Sequence, residues 1–253
     1  GTLTVMTQIA ADQLGLALKD VDFQYGDSKK PFSMFQGGSA ITSSTGVAIL
    51  MAARALRKKL LKKAAQMPDS PFKKAVDDNV HFSEGYIYLK DDTSVRISLK
   101  DIISFNKGVA IKTTNMGNPH MIKLRKYSLG THSACFVEVE VDKDLGTVEV
   151  TRAVSAIAAG KIINPKTAKS QISGSMIWGI SKALHEETIM DANLGKYINT
   201  NLGEYHIPVH ADIGQLDVIF VEEKDELINE LGTKGVGEIG LVGIPAAISN
   251  AIF

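Results

Sequence analysis

Cysteine is nearly absent from this chain: Cys135 is the single thiol among 253 residues. That excludes an internal disulfide, a Cys-rich zinc site and an iron–sulfur cluster ligated by this chain alone. Aromatic residues are few, at 6%, and none interleaves with the basic run Arg54, Arg57, Lys58, Lys59, Lys62 and Lys63, as a base-stacking platform would need. Charge of one sign is not in excess, with 28 Lys plus Arg against 28 Asp plus Glu, so no global field draws the chain to nucleic acid or to a membrane. No apolar stretch approaches the length that spans a bilayer.

Several catalytic signatures are missing too. No Gly-Lys-Ser/Thr follows Gly37-Gly38-Ser39, so that loop is not a Walker loop, and the dinucleotide fingerprint spacing is absent. His185-Glu186-Glu187 lacks the second histidine of a zinc-protease helix. No serine lies in a Gly-x-Ser-x-Gly elbow. His206, His210 and Asp212 invite a metal reading, but Pro208 prevents the two histidines from sharing a helical face, and the pair is read as structural.

What is present is an ordinary globular composition, 44% hydrophobic and 22% charged, patterned as α+β. Helical spacing predicts helices over Thr4–Leu14, Gly46–Gln66, Leu99–Asn106 and Pro165–Glu187, with a last one from Ala246 after Pro245. In the second, Val47, Leu50, Ala53, Leu56, Leu60 and Ala64 share one face, and the basic residues form a solvated face near its C-terminus. In Pro165–Glu187, Ile172, Met176, Ile180 and Leu184 step by four, and Pro165 suits the first turn. Alternation predicts strands at Val21–Tyr25, Val80–Phe82, Tyr86–Leu89, Val95–Ser98 and Leu216–Val221. Thr131–Val141 and Gly146–Ala156 form an antiparallel hairpin. Cys135 falls in that alternation and reads as a buried apolar thiol rather than a nucleophile. Met116–Tyr127 has no clean period and reads as extended. Two lobes are expected, residues 1–115 and residues 116–253. The chain opens at Gly1-Thr2-Leu3-Thr4 and closes at Ala251-Ile252-Phe253 inside an apolar run, so a piece of a larger polypeptide is expected.

One acid stands out. Glu238 lies in Gly232-Thr233-Lys234-Gly235-Val236-Gly237-Glu238-Ile239-Gly240, where glycines let backbone amides approach a bulky anion. Between Val236, Ile239, Leu241 and Val242 the carboxylate reads either as a poorly solvated base or as a solvated Glu on a surface turn. Asn164-Pro165 through Gln171 places Lys166, Thr167, Lys169, Ser170 and Gln171 at a helix N-terminus, suited to phosphate or to a polar helix surface. Gly37-Gly38-Ser39-Ala40-Ile41-Thr42, before the helix at Gly46, has the same logic.

These elements, in order, resemble the molybdopterin-binding subunit of the xanthine dehydrogenase and aldehyde oxidase family. The likeness runs through Gly1–Thr4 and Gln8–Gly15, Gly26-Asp27-Ser28, Gly37-Gly38-Ser39, Gly160–Pro165 to Gln171, Asn199–Asp212 and Gly232–Ala251. It is weakest between Pro68 and Met121. Ala158-Ala159-Gly160-Lys161 replaces the Asp-x-Gly of many members, and with Tyr205–Asp212 it is similar to bacterial three-subunit aldehyde oxidoreductases. The resemblance implies that this chain is the C-terminal part of the subunit, in two α+β lobes, the second carrying the Gln171 and Glu238 motifs.

It implies a molybdenum–molybdopterin cofactor, in the cytosine dinucleotide form, with the metal held by the pterin dithiolene and by no side chain of this chain. Glu238 would be the base that takes a proton from a molybdenum hydroxyl as its oxygen attacks an aldehyde, or an N-heterocycle, while hydride passes to a sulfido ligand. Gln171 would bond the pterin, and Gly37, Gly38 and Ser39 would clear space beside the metal. Thr2, Thr42, Lys169, Ser170, Gly235 and Gly237 are further candidates for pterin or phosphate contacts. Electrons would leave through 2Fe-2S clusters and FAD on partner subunits, in the cytoplasm or periplasm of a bacterium. The missing N-terminal half would supply the other pocket walls. Two alternatives are a non-catalytic nucleotide- or anion-binding module and an assembly subunit docking through the Arg54–Lys63 face.

Overall fold

The computed structural model describes residues 1–33, 35–117 and 126–253. They divide into two compact units, one of Gly1–Tyr127 with Glu226–Gly232, the other of Ser128–Asp225 with Thr233–Phe253. Most of the expected extended stretch Met116–Tyr127 lies outside the described residues. No helix among those described is long and apolar enough to cross a membrane.

The first unit begins with α1 (Thr2–Leu14), which buries Met6, Ile9 and Ala11. It stops at Gly15, whose left-handed φ of 61° ends the helix, and whose α-carbon abuts the Phe82 backbone so closely that a Cβ would collide with it. Glycine answers both demands. A π-helical turn (Thr42–Gly46) leads into α2 (Val47–Gln66), which buries Val47, Leu50, Ala53, Leu60, Leu61 and Ala64.

Strands β1 (Val80–Ser83), β2 (Tyr86–Leu89) and β3 (Arg96–Ser98) form an antiparallel meander. Helix α3 (Leu99–Phe105) follows, capped by Ser98, whose hydroxyl accepts from the Asp101 amide at 3.0 Å. Their core joins Leu60, Leu61 and Ala64 to Phe72, Val80, Phe82, Ile87 and Ile102.

Two expectations fail here. Val21–Tyr25 joins no ladder; its alternation has no partner strand, and Phe23 and Tyr25 instead stack, centroids 5.8 Å apart. The basic face of α2 is not wholly solvated either. Arg54, Lys58, Lys59 and Lys62 are exposed, but Arg57 pairs with Asp77 at 2.9 Å and lies over the Phe82 ring.

The second unit is built on a three-stranded sheet. Strands β4 (His132–Asp142) and β5 (Thr147–Ala158) make the expected hairpin, with a register shift between Glu138 and Val139. Helix α4 (Pro165–Leu184) follows. Its N-cap Asn164 accepts from the Thr167 amide at 3.0 Å, and Pro165 sits where no amide is needed. A small hairpin, β6 (Met190–Asp191) and β7 (Lys196–Tyr197), precedes β8 (Gln215–Phe220).

Strand β8 pairs parallel to β5, so β5, α4 and β8 form a crossover unit. Helices α5 (Ile239–Val242) and α6 (Ile244–Ile252) close the chain. Ile172, Met176 and Ile180 of α4 are buried with Val150, Ala153, Ile157, Ala159, Ile244 and Ile248; each large side chain fully removed from water contributes about 1.5–3 kcal/mol. Cys135, half-buried on β4, has its Sγ 3.5 Å from the Ser155 hydroxyl. A Cβ on Gly243 would stand 2.8 Å from that sulfur.

Candidate functional site

The Gly-rich strap 233–238 of the second unit is held by backbone and side-chain bonds from its neighbours at nearly every step. Thr233 bridges Gly160 antiparallel, and the Lys234 amide donates to the Ala159 carbonyl at 3.0 Å. The Gly235 carbonyl accepts from the Thr131 hydroxyl at 2.7 Å. The Gly237 carbonyl accepts twice, from the Gln171 side-chain amide at 2.8 Å and from the buried Ser175 hydroxyl at 3.0 Å. Glycines are conformationally loose, so these bonds define where the strap runs.

Glu238 follows directly and precedes α5. A Cβ on Gly240 would stand 2.7 Å from the Ile172 carbonyl and 2.9 Å from Ser175, so the glycine lets the start of α5 lie against α4 beside Gln171. Sequence therefore brings Gln171, Gly237 and Glu238 together from two distant segments. Ser170 is exposed one residue before Gln171, and Gly235 is partly buried within the strap.

The poorly solvated setting for Glu238 is not what the chain has. Glu238 is exposed, while Val236 and Ile239 on either side of Gly237-Glu238 pack against the core cluster. Of the two settings its sequence allowed, the solvated turn is the one found.

Lys166, Lys169, Ser170 and Gln171 are all exposed over the first turns of α4. Two cations, a hydroxyl and an amide at a helix N-terminus fit an anionic, hydrogen-bonding ligand such as a pterin dinucleotide.

Gly37, Gly38, Ser39 and Thr42 belong to the first unit. Gly38 and Ser39 have φ of 60° and 58°, and the Ala40 amide donates to the Gly37 carbonyl at 3.3 Å. That is the pattern of a tight turn with both central residues left-handed. A Cβ on Gly38 would meet nothing within 4 Å, so the turn presents open space. Thr42 starts the π-helical turn beyond it. Thr2 lies on α1 of the same unit.

Sequence reasoning does not single out Glu223, Asp225 or Lys234, whose only signal is the charged run Glu222-Glu223-Lys224-Asp225-Glu226 ahead of the strap. In the fold Lys234, its side chain 11% exposed, donates to Glu223 at 2.5 Å and pairs with Asp225 at 3.1 Å. The other Glu223 oxygen accepts from the Gly160 amide at 2.7 Å. The Lys234 hydrogen bond, helped by the Gly160 amide, holds the Glu223 carboxyl below the usual glutamate range. For Lys234, burial acts to lower the ammonium pKa, but its bonds to Glu223 and Asp225 more than offset this and raise it above the ordinary lysine value.

His210 and Asp212 lie in one short turn, where the Asp212 carboxylate accepts from the Val209 amide at 2.7 Å. Among the described residues no group of three or more His, Cys, Asp or Glu could hold a metal ion.

Residues 1–214 match the model of a family described as the molybdopterin cofactor-binding domain. The chain is 34% identical over 255 residues to the aldehyde oxidoreductase molybdenum-binding subunit PaoC of Escherichia coli K12, covering 100% of this chain and 32% of that protein. It is 30% identical to the putative xanthine dehydrogenase molybdenum-binding subunit XdhA of the same organism, covering 100% of this chain and 33% of that one. In structure it is similar to quinoline 2-oxidoreductase from Pseudomonas putida 86, with a TM-score of 0.78, 23% identity, and coverage of 100% of this chain and 32% of that chain. The chain thus spans about a third of the relatives it matches.

Proposed function

We infer that this chain, which belongs to the molybdopterin cofactor-binding domain family, is the part of a molybdenum hydroxylase that holds the pterin and supplies the base. The observation that carries the reading is the bond from Gln171 to the Gly237 carbonyl, which sets Glu238 beside the exposed donors of α4. The aldehyde oxidoreductase and xanthine dehydrogenase subunits among its relatives support an oxidative hydroxylation of aldehydes, or of N-heterocycles, with water as the oxygen source. When bound, the molybdenum–pterin group, in its cytosine dinucleotide form, supplies the redox centre. Within the second unit, Lys166, Lys169 and Ser170 would bind its phosphates and Gln171 its pterin.

Glu238 would accept the proton released as the oxygen nucleophile adds to the substrate carbon. Its exposure in this chain is compatible with that task if further chain of the same subunit roofs the site, as the one-third coverage of the relatives suggests. Electrons would pass to 2Fe-2S and FAD partner subunits, since one cysteine cannot ligate a cluster.

In the assembled full-length enzyme, Glu238→Gln is expected to lower aldehyde turnover by at least the roughly 10²–10⁴-fold of a lost general base, with molybdenum content unchanged. A near-parental rate would remove Glu238 as the base. The exposed carboxylate gives a second reading some support, a nucleotide- or anion-binding module without chemistry; a natively assembled protein free of molybdenum would favour it.

A further inference from the structure

The half-buried charge cluster of Lys234, Glu223 and Asp225 has no part in the chemistry above, yet it sits at a particular point of the chain. Between Asp225 and Thr233 the backbone leaves the second unit, because Glu226–Gly232 belongs to the first, and it returns at Thr233. Lys234 therefore pairs with residues on the outgoing side, Glu223 and Asp225, immediately after the chain comes back.

The same two residues also reach the end of β5. Glu223 accepts from the Gly160 amide at 2.7 Å, and the Lys234 amide donates to the Ala159 carbonyl at 3.0 Å. Three segments, at 159–160, 223–225 and 233–234, are thus clasped by the Lys234 ammonium, the Glu223 and Asp225 carboxylates and the Lys234 backbone amide. Beyond the clasp only Gly235, Val236 and Gly237 separate Lys234 from Glu238, and two of the three are glycines that fix nothing by themselves.

We propose that Lys234 is a positioning residue for the Glu238 carboxylate, with its clasp to Glu223 setting the starting point from which the strap reaches the Thr131, Gln171 and Ser175 anchors. Loss of the clasp leaves those three downstream bonds and the backbone ties of Thr233 and Lys234 to Gly160 and Ala159 in place, but it loosens the upstream end, so the strap samples several paths. Glu238 then spends less time within reach of the reacting oxygen. A displacement of about 1 Å is enough to slow a positioned proton transfer by up to roughly 100-fold. The inference rests on the reading of Glu238 as the base.

The test uses the full-length assembled enzyme with Lys234→Met, which keeps the unbranched apolar stem without the ammonium, and Glu223→Gln, which keeps the shape of the carboxylate. Both are expected to lower kcat roughly 10- to 100-fold while molybdenum content and KM for the aldehyde stay near parental values. A kcat within about threefold of the parent in both variants would overturn the positioning role. So would a loss of molybdenum in step with kcat, because the clasp would then serve the fold or cofactor retention rather than the acid. Glu238→Gln measured alongside separates the two claims. A parental rate there removes the base itself, whereas a parental rate in the clasp variants alone removes only the positioning.

Discussion

The side-chain amide of Gln171 and the carbonyl of Gly237 are 2.8 Å apart and hydrogen-bonded, and Ser175, one helical turn on, shares its single hydroxyl proton between that carbonyl at 3.0 Å and the Gln171 carbonyl at 2.9 Å. Two donors on one face of α4 thus hold the residue before Glu238. Neutral bonds of this kind contribute roughly 0.5–1.5 kcal/mol each.

If that carbonyl sets the acid, Gln171→Ala and Ser175→Ala should each lower kcat of the assembled enzyme by roughly two- to tenfold. The double variant should lose more than the product of the two, because the second bond can compensate for the first but not for both. Strictly multiplicative losses in steady-state kinetics would count against a shared role.

Gly179 meets α6 closely, and a Cβ there would lie 2.7 Å from the Ile244 Cβ. Gly179→Ala is expected to destabilise the protein by about 1–3 kcal/mol through overpacking, even though alanine favours helix by about 1 kcal/mol. Urea unfolding gives the sign. Gly174, on the same helix, has open space around its α-carbon, so Gly174→Ala should leave stability unchanged or raise it.

The Gly38–Ser39 turn separates conformational cost from steric cost. Gly38→Ala meets no atom but must hold φ near 60°, a left-handed backbone that costs about 1–2 kcal/mol for a residue with a Cβ. Ser39→Gly should relieve the corresponding cost. Opposite shifts in thermal midpoint are expected, and a lower molybdenum content in Gly38→Ala alone would mark the open space beside it as cofactor space.

The Glu223–Lys234 pair gives stability a broad pH plateau. Glu223 titrates below its ordinary 4.5 in the fold, so its contribution is present above 4.5 and fades as acid protonates it below that value. Lys234 titrates above its ordinary 10.5, so its contribution is complete below 10.5 and is lost as the pH rises through the higher folded value. The stability difference between parent and Glu223→Gln should be flat from about pH 6 to pH 9 and shrink in acid. A difference that grows towards low pH in denaturant titrations would contradict the assignment.

Much of the fold was readable from period and punctuation. The hairpin of β4 and β5, the stripe Ile172, Met176, Ile180 on α4 and the presence of the short strands β1 to β3 follow from alternation, four-residue steps and turn residues. The parallel partnership of β5 and β8 was not readable, because local pattern says nothing about which distant strand is adjacent. Val21–Tyr25 shows the converse: alternation with no partner gives no strand.

At the site, the glycines of the strap and the Asn164–Pro165 helix start were visible as chemistry-bearing patterns. The exposure of Glu238 was not, since whether flanking Val236 and Ile239 cover or turn away from a carboxylate is decided in three dimensions. Nor was the clasp, whose acid and ammonium are separated by a whole excursion of the chain into the other unit.

Cys135 has a use beyond its modest packing role. With its sulfur backed against Gly243 at the junction of α5 and α6, any breathing that parts these helices from β4 further exposes the chain's lone thiol. Its rate of reaction with a small thiol reagent therefore serves as a built-in gauge of how tightly the last helices stay shut, readable without introducing a label.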